Sequence, residues 1–265
     1  MSAVQPSISV VIPTHERCEG CKRAVQSALD QEYPALEVLV CDDASTDGTQ
    51  DALESWAREE PRLRYLRLPS NHGGPAVPRN LGTKAARGDW VAFLYDDDRW
   101  LPGKLQVQGE ALASGRYDLV ASDARRSGGS PYFGHRQALE PDRAEFLRHN
   151  PIITSTAVVR RLSLLAAGGF PSSTAWISLS GVEDYAAWLQ LAYRGARVLI
   201  LPDQLVAYDD IDENRISRAA ARQEAAVAAI RWRLWLRRLN DPAVFGSALR
   251  GTSDAARTRL RQLRS

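Results

Sequence analysis

Three consecutive carboxylates, Asp96, Asp97 and Asp98, stand between the apolar stretch WVAFLY and the pair Arg99-Trp100. Like charges at about 4 Å repel by roughly 1 kcal/mol in water and by several times that in a partly dry cleft, so a group of opposite sign is expected among them. Oxygen ligands clustered at a strand end suit a hard divalent cation, Mn2+ or Mg2+. Such an ion takes one or two carboxylates and completes its octahedron with phosphate oxygens and water. It would neutralise a diphosphate and stabilise the charge that develops on it as a leaving group. The plainer reading is a solvated loop in which aspartate caps the next helix, because DDDRWLPGKL leads into one.

The surrounding pattern says how such a cluster would be held. ISVVIP (8–13), LEVLVC (36–41), RYLRL (64–68) and WVAFLY (90–95) are short apolar runs that read as strands. Between them, CKRAVQSALDQ and DGTQDALESWAREE carry helical periodicity, the second behind a cap at Ser45 to Asp47. NHGGPAVPRNLG (71–82) reads as a loop entering a short helix, TKAAR. Strands with continuous rather than alternating apolar runs, separated by helices, indicate a mostly parallel sheet covered on both faces. Ligands of such sheets bind beyond the carboxyl ends of the strands, where Asp42, Asp43 and the triplet all lie. Past Leu101 the alternation loosens into a helix (103–114), a strand (117–122), a Gly/Ser/Pro loop (127–134), a strand near STAVVRR, a helix over 182–192, and the runs VLIL and QLVAYDD. This mixed half is expected to hold the second substrate.

Composition narrows the class. With 44% apolar and 25% charged residues the chain should fold, and its length of 265 allows one large α/β domain with a small appendage. A net charge of +2 makes no case for nucleic acid, although from Ile211 onward 12 arginines face 5 acidic residues. The N-terminus lacks the basic, then apolar pattern of a signal peptide, and no run approaches the ~18 apolar residues of a membrane span, so a cytoplasmic protein is expected. The three cysteines form no disulfide framework. Cys18 and Cys21 have the spacing of a redox or zinc pair, but no second pair completes it.

Taken together, VVIPTHERCEGCKRAVQSALDQ, LEVLVCDDASTDGT, the Asn71 to Gly82 loop with Arg79-Asn80, GDWVAFLYDDDRWLPGKL and GVEDYAAWLQL resemble the inverting, nucleotide-sugar-dependent glycosyltransferases of family 2, across about residues 7 to 217. The resemblance implies a GT-A type nucleotide-diphospho-sugar transferase fold over residues 1–215, followed by a basic helical tail over 216–265. It also implies a UDP- or dTDP-sugar donor and a carbohydrate or lipid-linked acceptor, as in the synthesis of surface polysaccharide or other glycoconjugates. By the same resemblance Pro13, Thr14, Glu16, Asp43, Arg79, Asp96 and Asp97 form the nucleotide pocket, with Asp43 accepting N3–H of a uracil or thymine. Asp98 takes the metal position, and of the pair Glu183-Asp184 the aspartate is the catalytic base. The plainer reading of that pair is acidity at a helix N-terminus.

Three positions depart from the family. Tyr95 stands where the Leu-Asp-x-Asp-Asp pattern has its first Asp, Gln190 replaces a frequent Arg, and the YDDIDENRIS region lacks the His often found there. These departures leave metal dependence open and keep a non-catalytic nucleotide-sugar binder as the alternative. A nucleotidyltransferase would want a Gly-rich loop after the first strand, and PTHERCEG is not one. Trp176 reads equally as an acceptor-stacking residue and as a Trp packed under its loop. In the tail, Trp232, Trp235, Leu236 and Leu239 form one helical stripe and Val227, Ile230 and Leu234 a second. One face is expected on the catalytic domain, the other on a second subunit or, peripherally, on an anionic membrane surface at its inner face, unless both are buried in the domain.

Overall fold

Seven consecutive buried residues, Ile8–Thr14, make the first strand, β1, and the reason is visible in what each alternate side chain meets. A computed structural model describes residues 5–172, 179, 181–211, 226–231 and 247. In it β1 is flanked by parallel partners on both sides, β2 (Glu37–Asp42) and β4 (Trp90–Phe93), and β2 pairs in parallel with β3 (Leu63–Arg67). Val11, Leu39, Val91 and Phe93 enter one core, while Ile8, Val10, Ile12, Val38, Val40 and Ala92 enter another on the opposite face. Side chains alternate across a strand, so burial of both faces produces the unbroken apolar runs.

The sheet has eight strands in the order β3-β2-β1-β4-β7-β6-β8-β5, completed by β5 (Arg99–Trp100), β6 (Leu119–Arg126), β7 (Val158–Arg160) and β8 (Val198–Tyr208). Its far half is mixed. β7 runs antiparallel to both β4 and β6, β8 is parallel to β6, and β5 is antiparallel to β8. Helices α1 (Cys18–Leu29), α2 (Thr49–Glu59) and α4 (Lys104–Ala113) supply buried residues to one face. On the other lie α3 (Ala76–Ala85), α5 (Arg143–Arg148), α6 (Arg161–Ala167) and α7 (Glu183–Tyr193). The GT-A type α/β architecture expected from the sequence is the one observed.

Several local expectations are corrected. Helix α3 begins at Ala76, so Arg79 and Asn80 are helical rather than in a loop. Pro75 and Pro78 signal a break in sequence, but in a first turn the missing N–H groups would have had no intrahelical partner. At Gly82 an added Cβ would lie 2.5 Å from Val11 Cγ1, so this glycine lets α3 settle directly on the sheet. Strand β4 ends at Phe93, two residues early, and the triplet sits in the turn between β4 and β5, closed by Asp98 N to Tyr95 O at 3.2 Å. Helix α4 starts only at Lys104, behind Gly103, so the triplet does not cap it. VLIL and QLVAYDD are one strand, β8, whose pairing with β6 absorbs register shifts around Asp123.

Of the tail, residues 226–231 are helical. Ala226 and Ile230 join the α7-side core with Val227 packed against it, and Ser247 Oγ donates to Leu147 O at 3.1 Å. The Trp232, Trp235, Leu236 and Leu239 stripe, Leu234 and Trp176 lie outside the described residues. No helix among the described residues is long and apolar enough to cross a membrane.

Candidate active site

The carboxyl ends of β2, β1 and β4 open onto a cleft of about 940 Å³, and its lining follows the strand order. Beyond β2 comes Asp43, beyond β1 Thr14, beyond β4 the turn carrying Asp96 and Asp97, and on the β7 side Thr154 with Asp184. Adjacent aspartates have separate tasks. Asp42 is fully buried and accepts from the Ser45 amide at 3.0 Å, the Ser45 hydroxyl and the Tyr65 hydroxyl, which ties the β2 end to β3. Asp43 faces the cleft, held by His72, whose amide and Nδ1 each lie 2.9 Å from a different carboxylate oxygen. A carboxylate has about four acceptor sites, so Asp43 retains capacity for one more donor.

The loops around this end are strained. Glu16 and Ala44 have φ values of 54° and 64°, a region costly for residues with a Cβ. The Glu16 carboxylate accepts from Thr46 N at 2.7 Å and Thr46 Oγ1 at 2.9 Å, fastening the β1 loop to the β2 loop. Glu16 is not among the residues lining the main cleft but borders an adjoining crevice with Asp96 and Asp97.

At the triplet, Thr14 Oγ1 donates to Asp96 Oδ2 at 2.8 Å. Burial and the charge of Asp97 push the Asp96 carboxyl up to about 7, opposed by the Thr14 bond and by Arg17. Arg17 lies 4.0 Å from Asp97. Asp98, expected as the metal ligand, is 1% exposed and does not line the cleft. Its carboxylate accepts from Ser155 Oγ at 2.5 Å and from the Asp209 amide at 3.2 Å. Among the described residues no three His, Cys, Asp or Glu side chains converge as a closed metal cage. Mg2+ and Mn2+ do not require one, since one or two carboxylates and substrate phosphates complete the sphere. The rim therefore fits such an ion through Asp96 and Asp97, because two adjacent carboxyl groups, one with a raised pKa, gain from a cation.

Arg79, which the resemblance assigns to the nucleotide pocket, is not among the lining residues and lies beneath the cleft floor, 0% exposed. Its Nη2 donates to Glu183 Oε1 at 2.5 Å and to the Tyr95 hydroxyl, and its guanidinium lies 4.6 Å from the Phe170 ring centroid. Tyr95 thus supplies an oxygen to Arg79 at the position where the family pattern has an Asp. Glu183, 2% exposed, also accepts from Gly181 N at 2.7 Å, so its contribution is to fix the start of α7.

Asp184 follows and lines the cleft. It accepts from Thr154 Oγ1 at 2.8 Å, from Tyr185 N at 2.6 Å and from Asn150 Nδ2 at 3.4 Å. Burial and the neighbouring Glu183 raise its carboxyl to about 6, while Arg79 and the Thr154 bond pull the other way. A carboxylate so poised is ionised at neutral pH and basic enough to take a proton.

The sequence matches the family described as glycosyl transferase family 2 over residues 9–167. The chain belongs to glycosyl transferase family 2. Over 221 residues the transferase is 31% identical to TuaG of Bacillus subtilis, a glycosyltransferase named for teichuronic acid biosynthesis, covering 78% of this chain and 81% of TuaG. Over 127 residues it is 35% identical to the succinoglycan biosynthesis protein ExoO of Rhizobium meliloti, covering 45% of this chain and 36% of ExoO. Among solved structures, S. aureus TarS 1-349 in complex with UDP-GlcNAc has a TM-score of 0.70 at 23% identity, covering 86% of this chain and 66% of that one. The mannosyltransferase PcManGT of Pyrobaculum calidifontis, in complex with GDP-Man and Mn2+, has a TM-score of 0.66 at 21% identity, covering 96% and 76%. Both likenesses are of fold.

The transferase also has site residues that sequence reading missed. Tyr132, Phe133 and Tyr208 line the cleft, with ring centroids 4.8 Å apart for Tyr132–Phe133 and 5.1 Å for Tyr132–Tyr208. The loop carrying Tyr132 and Phe133 is pinned by fully buried Asp123, whose carboxylate accepts from Phe133 N at 2.9 Å and Gly134 N at 2.8 Å. A polar residue inside an apolar strand was the available signal. Arg148, His149 and Arg231 line the cleft as well. Arg231, from the tail, could not be brought there by any local pattern.

Proposed function

We propose that the protein transfers a sugar from a UDP- or dTDP-sugar to an acceptor hydroxyl with inversion at the anomeric carbon, in the synthesis of surface polysaccharide or a related glycoconjugate. The single observation that carries this reading is that Asp43, Asp96, Asp97 and Asp184 line one cleft in strand order. The names of TuaG and ExoO, and the UDP-GlcNAc held by TarS, support the donor and product classes.

In this mechanism Asp43 accepts the N3–H of the base and Pro13 and Thr14 wall the nucleotide. Asp184 takes the proton of the acceptor hydroxyl as its oxygen attacks C1 on the face opposite the diphosphate. The C1–O bond to phosphate breaks with its electron pair on the leaving diphosphate. Glu183 and Arg79 keep Asp184 at its post from below. Asp96 and Asp97 would hold Mn2+ or Mg2+, which when bound supplies charge neutralisation for the diphosphate. Tyr132, Phe133 and Tyr208 offer ring faces against which a sugar can stack. We place the protein on the cytoplasmic side, with peripheral membrane contact or dimerisation left to the C-terminal residues outside the described set.

A screen of UDP-, dTDP- and GDP-sugars with Mn2+ tests the reading through release of nucleoside diphosphate. Slow hydrolysis of a uridine or thymidine sugar is expected. Asp43→Ala should weaken binding of that nucleotide by about 1–3 kcal/mol, the cost of a lost buried hydrogen bond. Tight binding without any hydrolysis or transfer would mark a non-catalytic binder, and unchanged affinity in Asp43→Ala would remove it from the base pocket.

A further inference from the structure

Arg231 is set apart from the other cations of the cleft. It is 9% exposed, yet among the described residues its buried Nε has no hydrogen-bond partner. Its Nη2 reaches only two neutral oxygens, Arg148 O and Tyr185 Oη, both at 3.3 Å. Among the described residues no carboxylate stands within 4 Å of it, whereas Arg148 and His149 both hold Glu145. A buried donor left unsatisfied is costly, and one that a native protein keeps calls for an explanation.

Its position says what that something is. Arg231 lines the same cleft as Asp184, the proposed base, and Tyr185, whose hydroxyl meets its guanidinium, lines it too. Ala226 and Ile230 anchor its helical segment in the core, which holds the side chain on a rigid support. A planar guanidinium presents a fork that matches phosphate and carboxylate, and in a partly dry site that match is worth more than in water.

Resting on the transferase reading above, we infer that the acceptor is anionic: it carries a phosphate or carboxylate group that Arg231 binds, so that its hydroxyl is presented to Asp184. A neutral sugar could accept its hydrogen bond but would leave the charge uncompensated. Arg231 is on this account a specificity-determining residue for the acceptor, without a part in donor binding.

The test uses the full chain saturated with UDP and Mn2+, so that the donor's phosphate site is filled. Three probes are titrated calorimetrically at low salt: methyl β-glucoside, methyl β-glucuronide and glycerol 3-phosphate. The expected result is saturable binding of the glucuronide or of glycerol phosphate at least about tenfold tighter than the neutral glucoside, and which of the two binds names the anion. That preference should vanish in Arg231→Gln and return in part in Arg231→Lys, with UDP affinity unchanged in both. Equal binding of charged and neutral probes, or a preference that survives Arg231→Gln, overturns the inference. If Arg231→Gln does not fold, the wild-type ratio of charged to neutral binding decides by itself. UDP binding, measured first in the same cell, reports separately on the transferase reading.

Discussion

Removing the Glu183 charge should be among the most damaging conservative changes in this protein. Arg79 is 0% exposed and Glu183 2% exposed, and the pair is joined at 2.5 Å. Among the described residues Nε and Nη1 of Arg79 have no hydrogen-bond partner, and besides Glu183 its support is the Tyr95 hydroxyl, the faces of Tyr95 and Phe170 and the nearby charge of Asp184. Each desolvated face is worth about 2 kcal/mol, and these contacts with the more distant Asp184 do not replace a directly bonded carboxylate. Glu183→Gln should therefore cost about 3–5 kcal/mol in urea unfolding, the usual penalty for orphaning a buried charge. Arg79→Met in the same chain removes the orphan, so the double variant should regain most of that loss. The change has a second readout. Glu183 raises the Asp184 carboxyl and Arg79 lowers it, so loss of the glutamate charge should move the acid limb of the transfer rate below pH 6. A loss under ~1 kcal/mol, or a double variant worse than the single one, would refute the idea that this pair is a closed buried ion pair.

Two further outcomes follow from the same geometry. Asp184 acts as base only when ionised, and its carboxyl is raised to about 6, so the rate at saturating donor should climb as pH rises through about 6 and level off above it; a rate flat between pH 5 and 7.5 contradicts that role. Asp97→Ala should abolish the Mn2+-dependent part of UDP binding, measured with and without chelator, whereas Asp98→Ala, which strips Ser155 and the Asp209 amide of their acceptor, should chiefly lower the melting temperature; the reverse pattern returns the metal to Asp98.

What could be read from the sequence was what local physics enforces. Strands β1, β2 and β4 are buried on both faces, so their apolar runs are unbroken and each ends at the cleft. Asp43 and Asp184 were legible because each follows or opens a strongly patterned element. The exceptions share a cause in tertiary context. Two prolines hid the first turn of α3, and with it the route by which Arg79 passes under the floor. The two residues of β5 form a strand only because β8 runs beside them, and that pairing turns Asp98 inward. Tyr132 and Phe133 sit in a loop whose place is decided by Asp123, about ten positions earlier, and Arg231 arrives from the tail.

If Asp184 is the base of a displacement that inverts the sugar, replacing it must separate donor binding from transfer. Asp184→Asn keeps the shape and the Thr154 and Asn150 neighbours but removes the proton acceptor. With the donor found in the screen, the variant should bind UDP as the native protein does and lose transfer by at least about 10²-fold, while the native product shows the opposite anomeric configuration to the donor by NMR. A variant that transfers at near the native rate, or a native product of retained configuration, would contradict the account.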